Sequence, residues 1–231
     1  MDTAERLRKM MRDLDGAAGI EGKPRLRVAI ISTPRSGSSL FCDVLRGTGC
    51  MGRPAEWFNT RYIQAYGEVF GYKQVDFSSY MEFVRKRTTT PNGVFSVNFH
   101  VEQWKLLLDR GLDVMRLGFD RVYWIYRCDK LGQAHSLHRA QVTDQWSRQT
   151  DTRAEFDPDT VRPSDVLKAL THIAQSEEAY RAQLHPKVNR EFAYEDFADL
   201  ENTNAYRQVL DDCGVDLNDV PNLETNMERQ S

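Results

Sequence analysis

The chain has 231 residues, 40% hydrophobic and 28% charged, the proportions of one ordinary globular domain. Its formal net charge of −3 argues against the broadly basic face of a nucleic-acid-binding domain, so any anion site must be local. No run approaches the roughly eighteen apolar residues that span a bilayer, and four cysteines without a C-x-x-C pair read as free thiols of a reducing compartment.

In chain order, the first predicted element is an amphipathic helix over 2–15, with Leu7, Met10, Met11 and Leu14 at helical spacing. It has neither the apolar stretch nor the cleavage site of a secretory signal, so a cytoplasmic location is expected. A polar linker over 16–23 follows, and the helix is expected to dock on the main body or on a partner. Four apolar runs then read as strands: 27–33 (RVAIIST), 93–99 (GVFSVNF), 121–127 (RVYWIYR) and 188–194 (VNREFAY). The first and third are nearly continuous in β-branched and aromatic residues, as strands covered on both faces are. The fourth is weak and reads as an edge.

Helical patterns separate the strands. One over 38–48 stops at Gly49, one runs over 131–149, one begins at a Ser164 cap and reaches about residue 184, and a last spans 201–212 and stops near Gly214. Strands alternating with helices predict an α/β fold, a central parallel sheet flanked by helices on both faces, built as a single domain over 1–231. The aromatic segment 57–90 stands apart. Phe58, Tyr62, Tyr66 and Phe70 recur every fourth residue, as a packed helix face, a dimer contact or a platform for an acceptor ring would.

The most informative stretch is RVAIISTPRSGSSLFCDVL. A buried strand enters Thr33, Pro34, Arg35, Ser36, Gly37, Ser38 and Ser39, and a helix starts at once. Such a turn presents backbone N–H groups, and the helix start adds unsatisfied donors and the positive end of its dipole. Gly37 allows close backbone approach, the serines add hydroxyls, and Arg35 offers a planar fork for two anionic oxygens. The loop is not G-x-x-x-x-G-K-[ST], so no lysine is placed for β/γ-phosphates. A nucleotide with a phosphoryl-like 5′ end, used without a metal, fits better than ATP. On a later strand-to-helix connection, Arg127 ends a strand, and Ser136, Arg139 and Thr143 share one helical face. An arginine and a serine so placed can converge on a second phosphate. His135 and His138 on the same helix lack further ligands at metal spacing, so no metal site is expected.

These residues resemble a family. TPRSGSSLFCDVLRGTGCMGRPAEWF is similar to the opening of the trehalose 2-sulfotransferase family, with its Arg-Ser-Gly-Ser loop and its Gly-x-Pro-x-Glu segment. The likeness extends to TPNGVFSVNFHVEQW, to YRCDKLGQAHSLHRAQVTDQW and, faintly, to the closing MERQS; it is good over 27–150 and loose beyond. It implies a P-loop-NTPase-like sulfotransferase fold and metal-independent, in-line transfer of a sulfuryl group. The donor would be 3′-phosphoadenosine 5′-phosphosulfate (PAPS), the acceptor a carbohydrate or glycolipid-type hydroxyl, and the assembly a homodimer.

On that resemblance the 33–39 loop takes the 5′-phosphosulfate, and Arg127 and Ser136, beside Arg139, take the 3′-phosphate. Segment 57–90 forms the acceptor side, and Glu56 is the base, raised toward neutrality by its aromatic neighbours. His100, at a strand's carboxyl end, is the competing base. Asn98 departs from the lysine common among relatives. Arg229 and Gln230 are expected to reach the nucleotide. A phosphotransferase on the same scaffold, or a non-catalytic nucleotide-binding relative, remains open.

Overall fold

A computed structural model describes residues 3–146 and 154–216, together with Val220 and Leu223. Arg229 and Gln230 lie outside the described residues. In chain order the elements are α1 (Thr3–Asp15), β1 (Leu26–Ser32), α2 (Ser38–Gly47), α3 (Thr60–Phe70), α4 (Phe77–Thr88), β2 (Val94–His100), α5 (Val101–Leu108), β3 (Arg121–Tyr126), α6 (Lys130–Thr143), α7 (Pro163–Gln183), β4 (Arg190–Ala193), α8 (Tyr194–Phe197) and α9 (Asn204–Asp212). The four expected strands are present and pair in parallel in the order β2-β1-β3-β4. Among the described residues no helix is long and apolar enough to cross a membrane.

Both faces of the sheet are apolar because β1 carries apolar side chains at successive positions. Ala29 and Ile31 face a cluster with Phe99 of β2, Trp124 of β3 and the buried faces of α1, α3, α4, α5 and α7. Val28 and Ile30 face the other way, against Phe41, Val44 and Leu45 of α2 and Tyr206, Val209 and Leu210 of α9. The result is three layers, helix on sheet on helix, as the alternating pattern requires. The N-terminal helix docks on the body: Leu7, Met11 and Leu14 are buried, and Arg8 Nη1 reaches Glu68 on α3 at 2.8 Å.

Several elements differ from the sequence expectation. Helix α6 ends at Thr143, where Asp144 turns left-handed with φ 52°. Ser164 lies inside α7, which Arg162 precedes and Pro163 opens; proline's missing N–H costs nothing at a first helical position. Helix α5 follows β2 without a linker and was not expected at all. In 57–90, two helices replace one long face. Trp57, Phe58, Tyr66 and Tyr80 are buried in the core, whereas Tyr72 is exposed.

Candidate active site

The strand order reverses direction between β1 and β3: the chain leaves β1 for β2 on one side and β3 for β4 on the other. In open parallel sheets the crevice outside the carboxyl ends of two such strands is where ligands bind. The 33–37 loop leaves β1 there and Arg127 leaves β3 there.

The loop is held from several sides. Ser36 is fully buried and its hydroxyl donates to Thr33 O at 2.8 Å, so it braces the turn from inside. Gln133 Nε2 on α6 reaches Thr33 Oγ1 and Pro34 O, each at 2.8 Å. Helix α2 opens on Gly37 with no side-chain cap, which leaves its first-turn N–H groups for another acceptor. Ser38 is buried at this opening and Ser39 is exposed. Gly37 has φ 88°, and a Cβ there would meet the Tyr194 ring at 2.2 Å. Close packing against α8, more than room for a ligand, therefore demands glycine.

Three arginines gather here. Arg35 itself has φ 64°, and its Nε donates to Ser136 Oγ at 2.9 Å and its Nη1 to Trp146 O at 2.6 Å. Burial, then the charges of Arg127 and Arg139, pull its pKa below the ordinary guanidinium value. Arg127 lies 5.1 Å from the Tyr194 ring centroid and meets Asp129 at 3.0 Å, yet its Nε is buried without a hydrogen-bond partner. Arg139 lies over Phe156. Ser136 accepts from Arg35, and Thr143 turns its hydroxyl back to Arg139 O. A cluster of like charges with an orphaned donor is unfavourable alone and receptive to a multiply charged anion.

The second half of the site stands at the end of β2. The 51–56 segment runs along that strand, with Asn98 N donating to Ala55 O at 2.9 Å and Ser96 Oγ bonding Met51 O. Gly52, at φ 73°, allows this approach, because a Cβ would lie 2.6 Å from Ser96 Oγ. Glu56 is thereby set beside His100, with Oε1 3.5 Å from Nε2. The parallel register puts Ser32 opposite His100, and Ser32 Oγ lies 2.9 Å from Nδ1.

The expected direction of the Glu56 pKa is overturned. Burial alone would raise it, but the charge of His100 and hydrogen bonds from His100, Asn59 and Gln103 outweigh burial and lower it to about 2. Glu56 in turn raises His100 against the desolvation that would lower it. The two therefore act as one ion pair, not as a neutral acid beside an independent histidine. Asn98 is almost fully buried and its Oδ1 has no partner.

Several supporting residues escaped the sequence reading. Gln133 braces the loop and Tyr194 covers Gly37. Glu195 accepts from the N–H groups of Cys128 and Asp129, fixing the turn that carries Arg127. Gln103 and Asn59 grip Glu56. Gln133 and Gln103 lie within the stretches that carry the family likeness, but nothing in their own spacing marks them.

The chain is similar to trehalose 2-sulfotransferase of Mycobacterium tuberculosis (strain ATCC 35801 / TMC 107 / Erdman). The two are 29% identical over 191 residues, covering 66% of this chain and 70% of the relative. A family model described as Stf0 sulphotransferase matches residues 28–231, from within β1 to the end of the chain. With the parallel sheet, this match settles the class: the chain belongs to the Stf0 sulphotransferase family and is a sulfuryl-transferring enzyme.

Proposed function

We propose that the enzyme moves the sulfuryl group of PAPS to a hydroxyl of a carbohydrate or glycolipid-type acceptor, in line and without a metal. The observation that carries this reading is the arginine cluster. The charge on Arg35 is disfavoured by burial and then by Arg127 and Arg139, and Arg127 Nε is buried without a partner, so a nucleotide charged at both ribose ends relieves both costs. Similarity to a trehalose 2-sulfotransferase supports a sugar hydroxyl as acceptor.

In this reading the open amides of α2, with Thr33, Pro34, Ser36, Gly37, Ser38 and Ser39 as their frame, hold the 5′-phosphosulfate. Arg127, Ser136 and Arg139 receive the 3′-phosphate. Arg35, tied to Ser136, stands between the two halves. As the acceptor oxygen bonds to sulfur, the sulfur–oxygen bond to the phosphate breaks, and the negative charge left there falls on Arg35 and the loop amides. The acceptor proton passes to the Glu56–His100 pair. The 57–90 region flanks the acceptor side, since α3 starts next to Glu56. Four free thiols support a cytoplasmic setting, and a homodimer is the proposed assembly.

Calorimetry with 3′-phosphoadenosine 5′-phosphate against AMP tests the donor. A charge-assisted hydrogen bond contributes about 1.5–3 kcal/mol, so the 3′-phosphate is expected to improve binding at least tenfold and Arg127→Ala to remove the preference. Equal binding of AMP by the wild type would overturn the assignment. Transfer of radiolabelled sulfate across a panel of sugars and glycolipids identifies the acceptor, and Mg²⁺-dependent ATP turnover would point instead to a phosphotransferase.

A further inference from the structure

The Glu56 carboxylate is gripped by two side chains, each of which also starts a helix. Asn59 caps α3: its Oδ1 accepts from Arg61 N at 3.0 Å, and its Nδ2 donates to Glu56 Oε2 at 3.0 Å. Gln103 completes the start of α5: its Oε1 accepts from His100 N at 3.2 Å, and its Nε2 donates to the same Oε2 at 2.6 Å. Because each amide oxygen is engaged by a backbone N–H, each amide nitrogen must face the carboxylate; flipping either amide would break both of its contacts. Oε2 thus carries two donors, and Oε1 is left facing His100 Nε2.

We propose that Asn59 and Gln103 are positioning residues of the reaction, which saturate Oε2 of Glu56 and turn Oε1 toward His100. The proposal rests on the sulfuryl-transfer reading above. The proton released as the acceptor oxygen bonds to sulfur then enters the pair along one edge, between Oε1 and Nε2. Gln103 also ties the two partners together, because one amide holds the backbone of His100 and the carboxylate of Glu56. Other groups act on the pair: the charge of Glu102 on α5 and a backbone hydrogen bond at Ser32 raise His100, while Cys42 on α2 and Tyr62 on α3 feel the charge of Glu56.

Two near-isosteric variants test this, Gln103→Glu and Asn59→Asp. Each keeps the oxygen that caps its helix and replaces only the donor aimed at Glu56 with a second carboxylate oxygen. Carboxylates at that separation share a proton. Carbon-13 NMR is expected to show, in each variant, a carboxyl titrating above the ordinary glutamate range. The acid limb of kcat/KM moves to higher pH. The turnover number falls about ten- to a hundredfold, part of the roughly 10²–10⁴ that a positioned base supplies. Affinity for 3′-phosphoadenosine 5′-phosphate stays unchanged. If Asn59 and Gln103 only capped their helices, both variants would keep the wild-type turnover and pH limb, which would overturn the proposal. A wild type that transfers no sulfuryl group would instead sink the parent reading, and the carboxyl titration would still decide whether these donors govern Glu56.

Discussion

Replacing Glu56 by glutamine removes the charge from the ion pair and leaves its shape nearly intact. At the observed 3.5 Å separation, Coulomb's law gives ~1 kcal/mol with the screening of bulk water and ~5 kcal/mol at an effective dielectric of 20. Attraction of that size favours the imidazolium, so although burial pulls the His100 midpoint down, the carboxylate raises it. In the wild type, His100 is therefore expected to titrate above the ordinary histidine value of 6.5. In Glu56→Gln the lost attraction leaves desolvation dominant, and the midpoint drops. The measurement is the pH titration of the imidazole Cε1–H resonance, assigned by its disappearance in His100→Asn. The wild-type kcat/KM for sulfate transfer is expected to rise with pH along the same midpoint, because the pair accepts a proton only after the imidazolium has lost one. An unchanged His100 midpoint in Glu56→Gln would refute the pairing. A rate already flat from acidic pH upward would show that Glu56 acts without His100.

Other consequences concern the loop. Gly37→Ala places a Cβ 2.2 Å from the Tyr194 ring at φ 88°; left-handed strain and overpacking together predict a loss of about 2–4 kcal/mol in urea denaturation. A cost under about 1 kcal/mol would mean that α8 does not pin the loop. Gln133→Leu removes both donors that reach Thr33 and Pro34. It is expected to cost about 1–3 kcal/mol and to weaken 3′-phosphoadenosine 5′-phosphate binding about tenfold, read by calorimetry. Unaltered binding would show that the loop holds its shape unaided.

Much of the architecture was readable before any coordinates. The runs 27–33 and 121–127 are apolar at consecutive positions, and only a strand covered on both faces accommodates that pattern. The strand–loop–helix around Arg35 was equally plain, since adjacent residues carry the whole device. Contacts between residues distant in sequence were harder to foresee. Ser136 accepts from Arg35 and Gln133 reaches Thr33, contacts between residues 101 and 100 positions apart that no local spacing encodes. The aromatics of 57–90 looked like one stripe, but Phe58 precedes the helix and joins the core with Trp57 and Tyr80.

The residue types therefore decided the layers of the fold and the strand–loop–helix that carries Arg35. Folding in three dimensions decided how Glu56 is charged. Aromatic neighbours in the chain pointed to a raised pKa, whereas His100 at the end of β2, Asn59 at the cap of α3 and Gln103 on α5 lower it. A pKa is a sum over everything near one carboxylate, and adjacency along the chain reports only a fraction of that sum.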